Sequence, residues 1–317
     1  MPADAPARGM LTDTLLQAMK AAQQQVNSLV LGKPQEVRLA FVALLSGGHL
    51  LIEDLPGLGK TTLARSLAAT LGLSFQRLQF TADLLPSDIL GVSIFDQEQR
   101  HFRFHPGPVF TQLLLTDEIN RAPPRTQSAL LEAMAEQQVS IDGASHALPD
   151  PFFVIATQNP VDLAGTFPLP DSQLDRFLMR LSLGYPDEKA EHDMLMGRDR
   201  RELIETTPAL VDADMLKALR RAVPQVHVSE ALVAYVQRLL AATRCHTQIQ
   251  TGLSPRAGLA LLRACRALAL LRGRTHALPE DVQAVFVEVA AHRLTPRQGN
   301  GDRVTLAKAV LHGVTID

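Results

Sequence analysis

The stretch Leu50-Leu51-Ile52-Glu53-Asp54-Leu55-Pro56-Gly57-Leu58-Gly59-Lys60-Thr61-Thr62 decides the fold. It opens on an apolar run long enough for a buried strand, turns through a Pro-Gly loop and closes on residues that start a helix. Strand, loop and helix in that order form a phosphate cradle. Gly57 and Gly59 let backbone N–H groups approach phosphate oxygens, and the helix N-terminus adds partial positive charge. Lys60 is placed to reach the outer phosphates and Thr61 to ligate Mg²⁺, with Pro56, Leu58 and Thr62 completing the loop. Asp54 stands where the usual pattern has glycine. Aspartate tolerates a tight turn better than most residues, though less freely than glycine.

Outside this loop, composition sets limits. A chain of 317 residues, 46% of them hydrophobic, has the length and the apolar content for about two domains. Aromatics make up only 4% and Trp is absent, so the core must be built from Leu, Ala, Val and Ile. A net charge of −2 lacks the basic excess of a nucleic-acid binder. The first residues carry no apolar signal core and no apolar run approaches membrane-span length, which points to a cytoplasmic protein without membrane insertion. Cys245 and Cys265 lack CxxC company and read as buried thiols, and the ten scattered His do not suggest a metal site.

In chain order, a polar tail precedes a helix over Leu11–Val30, broken at Gly32-Lys33-Pro34, and a second over Gln35–Leu45. After the phosphate loop come a helix over Thr61–Leu71 and a strand over Phe75–Phe80. The spacing then predicts a turn at Leu84-Leu85-Pro86 and a hairpin from Gly91–Phe95 and His101–Phe104. An apolar strand, Leu113-Leu114-Leu115-Thr116, ends in Asp117 and Glu118. Pro123-Pro124 starts a helix, Asp142-Gly143 turns a second hairpin, and Phe152–Thr157 forms a strand that stops at Asn159. A last strand covers Phe177–Leu183, and Gly184-Tyr185-Pro186-Asp187 reads as a linker. Helices follow over Glu188–Arg200, Asp212–Ala222, Ser229–Thr243, Ser254–Leu271 and Pro279–Ala291. The pattern predicts an α/β domain with a parallel sheet over residues 1–186 and an all-α domain over 187–317.

Five further positions carry chemistry. Asp117 suits a metal shell and Glu118 an attacking water, but both reach one site only if the backbone bends between them. Asn159 would lie beside the phosphate loop if the two strands are neighbours; taken singly, it is a turn former. Arg176 reads either as a surface arginine paired with Asp175 or Asp171, or as an arginine inserted into a neighbour's site. Arg256, in the first turn of a helix capped by Ser254, meets the positive end of the helix dipole at a cost of roughly 0.3–1 kcal/mol. A phosphate would offset that cost, and a nearby carboxylate would also serve.

Taken together, Gly47–Thr61, Gln79–Gly91, Phe104–Phe110, Leu113–Gly143, Phe152–Pro160, Pro168–Arg180 and Gly252–Ala257 resemble the MoxR family of AAA+ ATPases. The likeness runs from about Leu29 to Leu294. It implies an AAA+ αβα core with a five-stranded parallel sheet and a helical lid, with ATP and Mg²⁺ bound between core and lid. By the same likeness, Lys60 and Thr61 are the Walker A pair, Asp117 and Glu118 Walker B, Asn159 sensor 1, Arg176 the arginine finger and Arg256 sensor 2. Val30 and Gly32 match the segment bordering adenine. Residues 85–104 match a helix-2 insert and residues 138–148 the hairpin before sensor 1. The family also implies a homo-oligomer, a hexameric ring, that remodels client protein complexes beside a separate von Willebrand factor A domain protein. Two alternatives stay open: a nucleic-acid motor or loader, and a nucleotide-gated scaffold. Whether Arg180 shares the interface role of Arg176 is left undecided.

Overall fold

The computed structural model describes residues 5–161, 165–197, 199–297 and 301–316. Its elements begin with α1 (Ala5–Leu29), α2 (Pro34–Leu45), β1 (His49–Glu53), α3 (Lys60–Thr70), β2 (Phe75–Gln79) and α4 (Pro86–Leu90). A hairpin of β3 (Gly91–Asp96) and β4 (His101–Pro106) leads to β5 (Leu113–Asp117) and α5 (Pro124–Glu136). A second hairpin, β6 (Gln138–Ile141) and β7 (Ala144–Ala147), precedes β8 (Phe153–Gln158), α6 (Asp171–Leu174) and β9 (Phe177–Leu181). Beyond β9 the chain is almost wholly helical: α7 (Glu188–Met196), α8 (Arg200–Glu205), α9 (Ala213–Ala222), α10 (Glu230–Cys245), α11 (Pro255–Leu271), α12 (Pro279–Ala290) and α13 (Arg303–Gly313).

Five strands pair in parallel in the order β2-β5-β8-β1-β9. The inner strands are apolar at successive positions because both faces are covered, and their side chains divide by parity. Leu50, Ile52, Leu113, Leu115, Phe153 and Ile155 join one core with α1, α2 and the C-terminal helices. Leu51, Leu114, Val154 and Ala156 join the other, against α5. The helical region docks on the start of β9. There the Arg293 guanidinium pairs with Asp175 at 2.7 Å and donates to the carbonyls of Phe177 and Leu178. No helix among the described residues is long and apolar enough to cross a membrane.

Several expectations are corrected. The first helix begins at Ala5 instead of after a tail to Leu11, and residues 1–4 lie outside the described residues. The helix expected over 188–200 is two, parted at Gly197, because Asp199 caps a new start by accepting from the Arg201 amide; Arg198 between them lies outside the described residues. The turn at Leu84–Pro86 continues into α4, whose start is held by the Leu85 amide donating to Asp88. The last helix, α13, has no counterpart in the sequence reading, although Asp302 caps it through the amides of Val304 and Thr305. Cys265 is buried, but Cys245 is exposed.

His49 opens β1 in full burial. Its Nδ1 accepts from the Val154 amide at 3.0 Å, so Nε2 carries the proton and donates to the Met134 carbonyl at 3.2 Å. Burial lowers its pKa from 6.5 to about 4, and burial also pushes His292 well below its ordinary value. As pH falls from 6.5 towards 4 the unfolded chain gains protons that the folded chain refuses, so stability falls across that window. The expected slope is about 1.4 kcal/mol per pH unit per histidine, read as a falling urea midpoint. His49→Gln preserves an acceptor and a donor and should flatten the slope. A midpoint independent of pH in this window would show that both histidines protonate freely in the folded protein.

Candidate active site

The parallel sheet brings its carboxyl-terminal strand ends to one edge, where ligands bind in open α/β folds. The loop 54–59 leaves β1 there, and the Asp54 amide donates to the Gln158 carbonyl at 3.1 Å, so Asn159 lies beside the loop. Asn159 also uses its Oδ1 locally, accepting from the Val161 amide. Gly57 and Gly59 have φ of 85° and 91°, and a Cβ at either would meet nothing within 4 Å. Backbone conformation requires glycine at these positions, and the space beside the loop is open. The amides at the start of α3 continue this surface. Lys60 is folded back, its Nζ donating to the carbonyls of Asp54 at 2.6 Å and Leu55 at 3.0 Å. Burial lowers its pKa, against the opposing pull of Asp54, Asp117 and Glu118.

Asp54 does not have a positive φ, so its backbone conformation does not require glycine. Its buried carboxylate accepts from the Ser182 hydroxyl at 3.2 Å, the Leu183 amide and the Gly184 amide at 3.1 Å.

Beyond Asp117 the chain bends: Glu118 has φ 56° and ψ 51°, which turns both carboxylates to the loop's edge. Thr157, on β8, accepts from the Glu118 amide at 3.0 Å and donates to Asp117 at 3.3 Å. Asp117 is paired with Arg77 of β2 at 2.6 Å. Glu118 Oε2 accepts from Gln79 at 3.1 Å and pairs with Arg121 at 2.6 Å.

Two arginines lie at the opposite edge. Arg176 immediately precedes β9, with its Nη1 donating to the Leu131 carbonyl at 2.9 Å. Arg256 sits next to it, its Nε 3.7 Å from Asp175, so a carboxylate is what faces the capped start of α11. Five residues of strand, about 16 Å, separate this edge from the phosphate loop. Arg256 therefore stands apart from the loop of its own chain, and the anion beside it is a carboxylate, one of the two partners the sequence allowed. The cause is the Arg293–Asp175 docking, which holds the lid helices at the amino-terminal edge of β9. Arg180 is accounted for within the chain: it pairs with Glu53 across β1 and β9. Val30 is buried, and Gly32, at φ 70°, packs where a Cβ would come within 2.8 Å of the Ala190 Cβ.

A family model described as "ATPase family associated with various cellular activities (AAA)" matches residues 49–179, and an AAA lid domain model matches residues 241–311. The chain is 44% identical to the uncharacterized protein YeaC of Bacillus subtilis over 86% of its own length and 85% of that protein. It is 41% identical to chaperone MoxR1 of Mycobacterium tuberculosis over 85% of its length and 74% of that protein. The chain belongs to the MoxR family of AAA+ ATPases. The crystal structure of a candidate ATPase from Cytophaga hutchinsonii superposes with a TM-score of 0.89 at 34% identity, covering 99% of each chain.

This MoxR-family chain offers a donor set that fits its expected ligands. The Thr61 hydroxyl and Asp117 carboxylate are hard oxygen donors, suited to a Mg²⁺ that keeps waters and phosphate oxygens in its shell. Among the described residues no group of three or more His, Cys, Asp or Glu could hold a metal. Arg77, Gln79, Arg121 and Thr157 were not singled out from the sequence. The alternation Arg77-Leu78-Gln79 on a strand was a visible signal, but only the β2–β5 register, Gln79 beside Asp117, reveals what those side chains meet.

Thr157 links the Asp117 carboxylate and the Glu118 amide to β8. Thr157→Val keeps the shape and strands the Glu118 amide, at an expected cost of about 1–3 kcal/mol in urea unfolding, with Thr157→Ser recovering most of it. Equal stability of Val and Thr would show that these two hydrogen bonds contribute nothing.

Proposed function

We propose that this protein is an Mg²⁺-dependent ATP hydrolase acting as a chaperone-like motor, assembled as a hexameric ring whose neighbours complete each active site. One observation carries this reading: the phosphate-loop groups and the arginine pair occupy opposite edges of one sheet. A chain cannot bring Arg176 and Arg256 to its own phosphates, whereas a ring aligns one subunit's arginine edge with the next subunit's loop.

In the proposed site, Val30 and Gly32 border adenine, the amides of residues 56–62 hold the phosphates, and Lys60 swings from the Asp54 carbonyl to the outer ones. Mg²⁺, held by Thr61 and Asp117, would neutralise phosphate charge. Glu118, released from Gln79 and Arg121, takes the proton of the attacking water while Asn159 helps orient it. Arg176 of the neighbour offsets the charge that develops on the leaving phosphate, and Arg256 assists. The clients proposed are protein complexes, with a separate von Willebrand factor A domain protein as partner, in the cytoplasm. The exposed apolar side chains of hairpin β3–β4, Ile94, Phe95 and Phe102, support a protein client over nucleic acid. The domain division near Pro186, with the hairpins as insert and pre-sensor loop, belongs to the same reading.

Glu118→Gln should bind ATP with near wild-type affinity and lower phosphate release at least about a hundredfold. Arg176→Ala should do the same in assembled rings, and mixing it with Glu118→Gln subunits should restore part of the turnover. Turnover by Glu118→Gln near the wild-type rate would remove it as the base. Mixed rings no more active than either parent would remove Arg176 as a group acting between subunits.

A further inference from the structure

Asp54 spends all of its polar groups on joining three parts of the molecule. Its amide continues the pairing of β1 with β8, donating to Gln158, and its carbonyl accepts Lys60 Nζ at 2.6 Å. Its carboxylate, buried with only 7% of the residue exposed, takes the Ser182 hydroxyl and the amides of Leu183 and Gly184. Those three residues follow β9 and lead directly into α7 and the C-terminal helices. A buried carboxylate is costly unless fully hydrogen-bonded, and these donors come from one short segment. The same segment is held from a second side. Lys33 Nζ donates to the Tyr185 carbonyl at 2.7 Å, and Gly32 packs tightly on Ala190.

We propose that Asp54 is a positioning residue that couples occupancy of the phosphate loop to the linker over residues 182–187. The inference rests on the nucleotide reading given above. Lys60 and the linker are both fastened to Asp54. When phosphates draw Lys60 off the Asp54 carbonyl, the loop re-seats while its carboxylate still grips Leu183 and Gly184. Any shift of the loop is thereby passed to the strand-to-helix connection. Glycine, the usual occupant of this position, would preserve the cradle and lose the grip.

The test is amide hydrogen exchange on the full chain, with and without Mg²⁺ and the slowly hydrolysed analogue ATPγS, reading residues 54–62 and 183–187 separately. In the wild type, nucleotide should protect the loop and change exchange in the linker. In Asp54→Gly, the Leu183 and Gly184 amides should exchange about tenfold faster or more without nucleotide. Nucleotide should still protect the loop of this variant but no longer alter its linker. Asp54→Asn retains one acceptor and should fall between. Ser182→Ala removes one of the three bonds without touching the loop; it should weaken the linker response and leave nucleotide affinity unchanged, a readout that survives if Asp54→Gly does not fold. A linker response in Asp54→Gly or Ser182→Ala equal to wild type, with the loop still protected, would overturn the coupling alone. Absence of loop protection in the wild type would overturn the nucleotide reading, and the coupling with it.

Discussion

Everything at the candidate site depends on five buried strands running the same way. Parallel pairing needs both sheet faces covered, which the parity of β1, β5 and β8 achieves by sending alternate apolar side chains to two cores. Once the strands are parallel, the chain must turn at the same edge each time a strand ends. That constraint gathers the phosphate loop, Asp117 with Glu118, and Asn159 from three widely separated stretches. It also sends Arg176, which precedes a strand, to the far edge.

The charged groups of this site each find partners within the chain. Lys60 rests on two carbonyls, Asp117 on Arg77, and Glu118 on Gln79 and Arg121. A ligand entering here has to replace those partners. Phosphate supplies a new acceptor for Lys60 and a cation supplies a new partner for Asp117, so a phosphate and its cation together offer what either alone does not. Such pairings offset the charges of Lys60, Asp117 and Glu118 in a partly buried cleft, where an unpaired one would be destabilising.

The C-terminal helices grip the sheet at two places, and both are hydrogen-bonded rather than merely packed. At the amino-terminal edge, Arg293 and His292 bind the carbonyls of β9 and Arg293 also pairs with Asp175. At the carboxyl-terminal edge, Asp54 and Lys33 bind the linker. Arg256 stands at the first contact and the phosphate loop at the second, so the two ends of the lid attachment coincide with the two halves of the proposed site.

The sequence by itself determined the phosphate loop, the order of the five strands along the chain, both hairpins and the carboxylate pair, because each is a local pattern of apolar period, turn chemistry or helix start. It did not reveal α13 or the break at Gly197, where weak periodicity left only the caps Asp302 and Asp199 as signals. Tertiary structure alone decided what the charged residues face. Arg256 reads locally as a cation awaiting an anion; which anion depends on where α11 docks, and the docking sets it beside Asp175. Asp54 reads locally as an imperfect glycine, and only the approach of residues 182–184, about 130 positions further on, turns it into a buried acceptor. Local propensity acts through near neighbours along the chain, whereas the partner of a buried charge is chosen by packing between elements far apart in sequence.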